Sequence, residues 1–232
     1  MSLYHLKIRL LSDTTFGRGD GVAGLIDSEV EQDSDGFPYL RGRTLKGLLS
    51  EECDNLIAVL PAGNIRERWQ KVACVVFGSP GSSLNTMASI HVGDAMLPKD
   101  LRQAIAYQIH QENKLTKTEV LDALTTIRRQ TAIKPDGTPD KGSLRSFRVV
   151  IRHLDYTSDL IFDAEKAKIE GVLIEREEML SLLAVGALSL RYLGSGRNRG
   201  RGHVQCKLCD NKQNDIMAEF SKYFGTVKEA IA

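Results

Sequence analysis

The stretch Glu175 to Leu193, EREEMLSLLAVGALSLRYL, constrains the fold more than any other part of this 232-residue chain. Its middle is apolar almost all round rather than along one stripe, so a helix formed there has to be buried. Glu175, Glu177 and Glu178 fall in its first turn, where negative charge complements the helix dipole. The helix runs into LRYLGSGRNRGRG, Leu190 to Gly202, and then into a strand-like run from His203 to Leu208. Gly194, Gly196, Gly200 and Gly202 alternate there with Arg197, Arg199 and Arg201, and no acid lies between Arg191 and Cys209.

Such a loop suits a polyanion. Glycine permits positive φ and close approach, so the backbone can bend round a phosphate and aim its N–H groups at it. The arginines add permanently charged, bidentate donors. A nucleotide pyrophosphate and a nucleic-acid backbone both fit this chemistry. The loop matches neither GxxxxGK[ST] nor a GxGxxG that leads from strand to helix; it runs from helix to strand instead. That order favours an extended, repeated phosphate ligand such as RNA over a single nucleotide. The bland alternative is a solvated helix-to-strand connection.

Composition narrows the class. With 42% apolar and 26% charged residues the chain reads as an ordinary soluble globular protein. Its net charge is only +1, so any polyanion site has to come from local clustering. Four cysteines, Cys53, Cys74, Cys206 and Cys209, are few for this length and imply a reducing cytoplasm. Cys206 and Cys209 form one C-x-x-C, but strand alternation puts them on opposite faces, which favours buried thiols over zinc. No signal peptide opens the chain and no apolar run reaches membrane-spanning length.

Along the chain, Leu6, Ile8 and Leu10 alternate with Lys7, Arg9 and Leu11, the pattern of a half-buried strand over residues 3–11. Residues 14–36 form a long loop rich in Gly and Asp. After Phe37–Leu40, residues Leu45, Leu48, Leu49, Cys53, Leu56, Ile57 and Leu60 recur at helical spacing, which predicts a helix from Thr44 as N-cap. Its free amides, with Arg41, Arg43 and Lys46 beside them, make a second anion site. Further helices are predicted over 65–77 and 100–112, with Trp69 in a packing role, and a strand over 89–95. His91 and His110 lack partners at metal or triad spacing and are read as structural. Residues 116–152 carry Arg128, Arg129, Lys134, Lys141, Arg145, Arg148 and Arg152, broken by Pro and Gly, and read as a basic arm or hairpin. Strand patterns recur over 157–162 and 168–174, and a polar helix closes the chain from about residue 214 to 230.

The order strand, helix, strand, strand, helix, strand predicts an α+β, ferredoxin-like (RRM-like) core with a long loop, a helical insertion and a thumb-like hairpin. In this reading residues 1–232 are one domain, with the core near 1–60, 86–95 and 157–210, insertions near 61–85 and 96–156, and a C-terminal helix near 213–231. No RNP1 motif is present, so an RNA-recognition domain that stacks bases on sheet aromatics is disfavoured.

Three segments carry a resemblance to a known family. Gly21 to Leu49, GVAGLIDSEVEQDSDGFPYLRGRTLKGLL, is similar to the loop, glycine-serine turn and first helix of the RAMP superfamily of CRISPR-associated proteins. Lys117 to Val120 with the basic segment after it resembles that family's thumb, and Gly194 to Gly202 its glycine-rich loop. Arg41-Gly42-Arg43-Thr44 departs from the small residues usual in the turn. Within the family the chain resembles the repeated backbone subunit of type III effector complexes.

The resemblance implies a subunit that binds guide RNA and complementary target RNA and assembles with other copies of itself and other effector subunits. It implies RNA contacts from Arg41, Arg43, Thr44, Lys46, Arg128, Arg129, Gly194, Gly196, Arg197, Arg199, Gly200 and Arg201. In active members a first-loop aspartate supports target cleavage with a divalent metal, Mg²⁺ or Mn²⁺; Asp27 falls on that position, and Asp20 is the competing candidate. Cleavage through the RNA's own 2′-OH needs that hydroxyl deprotonated and aligned with the leaving oxygen. A lone carboxylate can accept the proton or hold a hydrated metal ion beside the phosphate. A passive assembly subunit, with Asp27 as a turn residue, is the alternative. A repeat-processing endoribonuclease is disfavoured because no histidine lies between His5 and His91.

Overall fold

The computed structural model describes residues 1–21, 26–78, 88–163, 166–169 and 171–225. In chain order, β1 (Ser2–Leu10) leads to helices α1 (Gly42–Ala58) and α2 (Asn64–Phe77), then to β2 (Ile90–Val92) and α3 (Lys99–His110). Helix α4 (Lys117–Leu124) is followed by β3 (Thr125–Gln130), β4 (Arg145–Val150), β5 (Asp155–Phe162), β6 (Lys166–Ile169) and β7 (Val172–Glu175). The chain then forms α5 (Arg176–Ser189), β8 (Val204–Cys209) and the short α6 (Met217–Phe220).

The main sheet runs β2-β5-β1-β8, with every neighbouring pair antiparallel. The period-two pattern of β1 decides its two faces. Tyr4, Leu6, Ile8 and Leu10 are buried, and across them in register stand Ser158 and Tyr156 of β5 and Leu208, Cys206 and Val204 of β8. The opposite face carries His5, Lys7 and Arg9 beside Asp155, Thr157, Asp159, Gln205 and Lys207. It presents no Phe, Tyr or Trp for base stacking at these positions, as expected from the missing RNP1 motif.

Helices α1 and α5 cover the apolar face. Leu45, Leu49, Cys53 and Ile57 repeat every four residues and form the buried stripe of α1. At their crossing with α5, Gly186 leaves room for the Cys53 thiol, which approaches the Leu182 carbonyl at 3.5 Å. Helix α5 is buried on nearly all sides, as its composition requires. It opens with a reciprocal cap in which the Glu175 amide donates to the Glu178 carboxylate at 3.0 Å. The same carboxylate accepts a fork from Arg68 of α2 at 2.7 and 2.8 Å, so this buried charge is fully partnered. Trp69 is buried and packs on Phe224, the packing role expected of it.

Three boundaries differ from those read in the sequence. Helix α1 starts at Gly42, not after Thr44, because the Asp94 carboxylate accepts from the Gly42 amide at 2.7 Å and supplies the cap from outside the segment. Residues 166–175 do not extend the main sheet; β6 and β7 pair with each other as a separate hairpin. The polar C-terminal segment forms only α6 and a 3-10 turn over Ser221–Tyr223, and the rest of that predicted helix, from residue 226 on, lies outside the described residues.

Candidate nucleic-acid interface

The glycine-rich loop is fastened rather than free. Leaving α5, the Ser195 amide donates to the Thr15 carbonyl at 2.9 Å, the Thr14 hydroxyl to the Leu193 carbonyl at 2.8 Å, and the Gly202 amide to the Asp13 carbonyl at 3.0 Å. These bonds tie both ends of the loop to the chain emerging from β1. Gly194 and Gly202 sit at φ +79° and +72°, and a Cβ at either would strike backbone, at Thr15 and Leu193 respectively. Gly196 and Gly200, also left-handed, bracket a 3-10 turn over Arg197–Arg199. The alternation of Gly and Arg is thus the signature of a pinned turn that pushes arginines outward.

Three concavities follow one another along this loop. The first, of about 320 Å³, lies between the start of α1 and the loop and is lined by Arg41, Thr44, Leu48, Gly194, Ser195 and Arg197 among others. The second, about 490 Å³, shares Gly194, Ser195 and Arg197 with it and adds Gly196, Arg199, Arg201, Gln130 and Phe147. The third, about 430 Å³, shares Gln130, Phe147 and Arg199 with the second and extends to Arg145 and Ser143 of the hairpin. Adjoining one another, the three run as a trough from the opening turn of α1, across the glycine-rich loop, to the loop end of the β3–β4 hairpin, where Gln130 pairs with Arg145.

Its electrostatics suit an anion. Arg201 lies over the Phe147 ring, 4.8 Å from the centroid, and burial together with the positive charges of Arg128 and Arg199 lowers its pKa from the usual guanidinium value. An added negative charge would relieve that strain. Carboxylates balance several of the other arginines: Glu31 holds Arg41 at 2.7 Å, Glu51 holds Arg197 at 3.3 Å, and Asp13 holds Arg128 at 2.7 Å. At the hairpin end, the Asp27 side chain is 44% exposed, its Oδ2 accepts from the Ser146 amide at 2.6 Å, and its Oδ1 lies 4.0 Å from Arg145.

A family model described as the RAMP superfamily matches residues 7–205. The chain belongs to the RAMP superfamily. Its fold is similar to a chain in the cryo-EM structure of the type III-B Cmr-beta bound to cognate target RNA, with a TM-score of 0.62 and 13% identity, over 90% of this chain and 97% of that one. A chain in the apo-state structure of the same type III-B Cmr-beta gives a TM-score of 0.61 and 15% identity, covering 89% and 97%. A search of curated proteins finds no match.

For this RAMP chain, the residues named from sequence divide by position. Arg41, Thr44, Gly194, Gly196, Arg197, Arg199 and Arg201 line the trough, and Gly200 shapes its turn. Arg128 approaches from β3, paired with Asp13, while Arg129 is exposed on the same strand. Arg43 and Lys46 instead face a separate groove of about 660 Å³ between α1 and α2, where burial lowers the Lys46 pKa. Asp20 is exposed and held by Arg18 at 2.6 Å, a bond that lowers its pKa. Among the described residues no three His, Cys, Asp or Glu side chains converge on a metal position, so Asp27 would be a single ligand. Sequence reasoning missed Phe147, Gln130 and Ser195, along with the carboxylates opposite the arginines. Phe147, inside the basic run RSFRVV, and Ser195, inside the glycine-arginine loop, each lay in a stretch whose chemistry was already marked.

Proposed function

We propose that this chain is a guide-RNA-binding backbone subunit of a type III CRISPR effector complex, which cleaves the bound target RNA. The observation that carries the reading is the trough of adjoining concavities from Arg41 through Arg197, Arg199 and Arg201 to Arg145. Its concavities are open to solvent and lined by arginines beside apolar surface, which suits a chain of phosphates that passes through rather than a small molecule that is enclosed. The RNA-bound type III-B chain of similar fold supports RNA as ligand and other effector subunits as partners. The order β2-β5-β1-β8 supports a ferredoxin-like core, and the basic β3–β4 hairpin at the end of the trough supports a thumb. The free cysteines suit a reducing, cytoplasmic setting.

Asp27 is not itself a lining residue of the trough; it lies beside it, 4.0 Å from Arg145, which is one. In the cleavage step the RNA's 2′-oxygen bonds to phosphorus as the bond to the 5′-oxygen breaks. The 2′ proton passes to Asp27 Oδ1 or to water and the 5′-oxygen takes a proton from water, leaving a 2′,3′-cyclic phosphate and a 5′-hydroxyl. Asp27 is the residue that would hold a hydrated Mg²⁺ or Mn²⁺, which would supply charge neutralisation at the phosphate. The bond from Ser146 to Asp27 favours a second reading, in which Asp27 only anchors the loop and the subunit assembles without cutting. Asp27→Ala in the assembled complex separates the two: loss of target cleavage with guide RNA still protected supports catalysis, and undiminished cleavage removes it.

The RNA reading has its own test. Single-stranded RNA affinity should fall steeply with salt, by about 0.7 log units per log unit of salt for each phosphate contact. Replacing Arg197, Arg199 and Arg201 by Ala should flatten the slope by about 2. A slope unchanged by the triple substitution would overturn the trough as the binding site.

A further inference from the structure

The segment carrying Asp27 is part of the hairpin's own sheet. Ser28 bridges Phe147 of β4 in parallel, the Asp27 amide donates to the Ser146 carbonyl at 2.8 Å, and the Arg148 amide donates to the Ser28 carbonyl at 3.0 Å. One side chain closes this junction. Arg148 Nε lies 3.0 and 3.2 Å from the two Glu29 carboxylate oxygens, while its Nη1 donates to Asp122 of α4 at 2.9 Å and to the Thr125 hydroxyl at 3.1 Å. Arg148 and Glu29 are 16% and 7% exposed, so this is a desolvated pair and not a surface ion pair. Unlike the half-exposed Arg128 and Arg145, Arg148 is mostly buried.

We propose that Arg148 is a positioning residue: through Glu29 it locks the Asp27 segment to the β3–β4 hairpin, so that carboxylate and hairpin keep one register on the RNA. The inference rests on the catalytic reading of Asp27 given above. Its physical content is that a strand pairing of two or three bonds can slip by a residue, which turns every side chain to the other face. A buried ion pair at a single position makes the slipped registers costly, because each separates the desolvated Glu29 carboxylate from the guanidinium that faces it. Whatever base step the hairpin engages, the phosphate opposite Asp27 then stays the same one.

The test uses the assembled complex carrying Arg148→Met, which keeps the aliphatic stem and removes every donor. A second variant, Glu29→Gln with Arg148→Met, spares the fold an orphaned buried carboxylate. Expected for both are unchanged guide-RNA affinity, cleavage slowed about 100-fold by misplacement of the carboxylate, cuts scattered over neighbouring phosphates, and faster amide hydrogen exchange at Asp27 and Arg148. A single cut site at the wild-type rate, with wild-type exchange at those amides, overturns the proposal. If the wild-type complex itself does not cut, the catalytic reading fails, and the exchange measurement alone decides the lock: protection unchanged in both variants refutes it.

Discussion

The Ser195 amide and the Thr15 carbonyl, 2.9 Å apart, join the glycine-rich loop to the chain leaving β1, although the two residues lie at opposite ends of the sequence. Because of this bond the loop's geometry is set by the sheet beneath it, and its arginines emerge in fixed places. Rigid presentation lowers the entropy lost when a phosphate chain is bound.

The glycines should therefore differ in their tolerance of a methyl group. Gly202→Ala meets the Leu193 carbonyl at a left-handed φ and should cost upwards of about 2 kcal/mol in denaturant unfolding, with loss of RNA binding. Gly200→Ala has the same handedness with nothing in its way and should cost about 1 kcal/mol. Equal losses at the two positions would contradict the pinned-loop geometry.

Asp27→Asn distinguishes the anchor from the reactive group. The amide oxygen can still accept from the Ser146 amide, so stability should change by less than about 1 kcal/mol, while the charge needed at the scissile phosphate is gone. Target cleavage should fall as far as in Asp27→Ala, measured on labelled target RNA. An Asn variant that cuts at the wild-type rate would show that the carboxylate's charge has no part in the reaction.

Glu51 holds Arg197 at 3.3 Å in the free protein, and under the proposed function it would compete with RNA for that guanidinium. Glu51→Gln should strengthen single-stranded RNA binding by about twofold to fivefold, the worth of an exposed ion pair, and the gain should shrink with added salt. Filter binding or anisotropy at two salt concentrations would report it; weaker binding would refute the competition.

Acid should loosen the junction at Asp13. Burial raises this carboxyl's pKa, but the hydrogen bond from Arg128, the Arg152 amide and the charges of both arginines outweigh it, leaving the pKa below the usual aspartate value. A group whose folded pKa is depressed stabilises the fold at pH above its unfolded value and loses that contribution as pH falls through the folded one. Asp13→Asn should thus lower stability at neutral pH by about 1 kcal/mol, since both arginines are half exposed. Below about pH 4 the variant and wild type should converge. Parallel pH profiles of thermal melting would refute the assignment.

Much of the scaffold was legible because its signals are local. The alternation in β1, the four-residue repeat of α1 and the all-round apolar α5 each report burial directly. What escaped depends on residues far apart in sequence. Thr44 looked like an N-cap, yet Asp94 caps Gly42 across 52 positions. The loop read as free of acids, yet Glu51 reaches Arg197 from α1. Arg43 and Lys46, adjacent in sequence to Arg41 and Thr44, turn into a different groove because a helix rotates neighbouring residues about 100° apart. Pairing of β6 with β7 followed from a turn at Gly171, whose positive φ no strand pattern disclosed.

The carboxylate that completes the start of α1 has one more implication. Asp94 accepts from the Gly42 amide, the first free donor of the helix, and so stands where a bound oxyanion would otherwise sit. A strand laid along the trough must either settle on the next amides of the helix or evict this tenant. Under the proposed function, guide binding at that end would be a ligand exchange, and the segment after β2 would register whether the exchange has occurred.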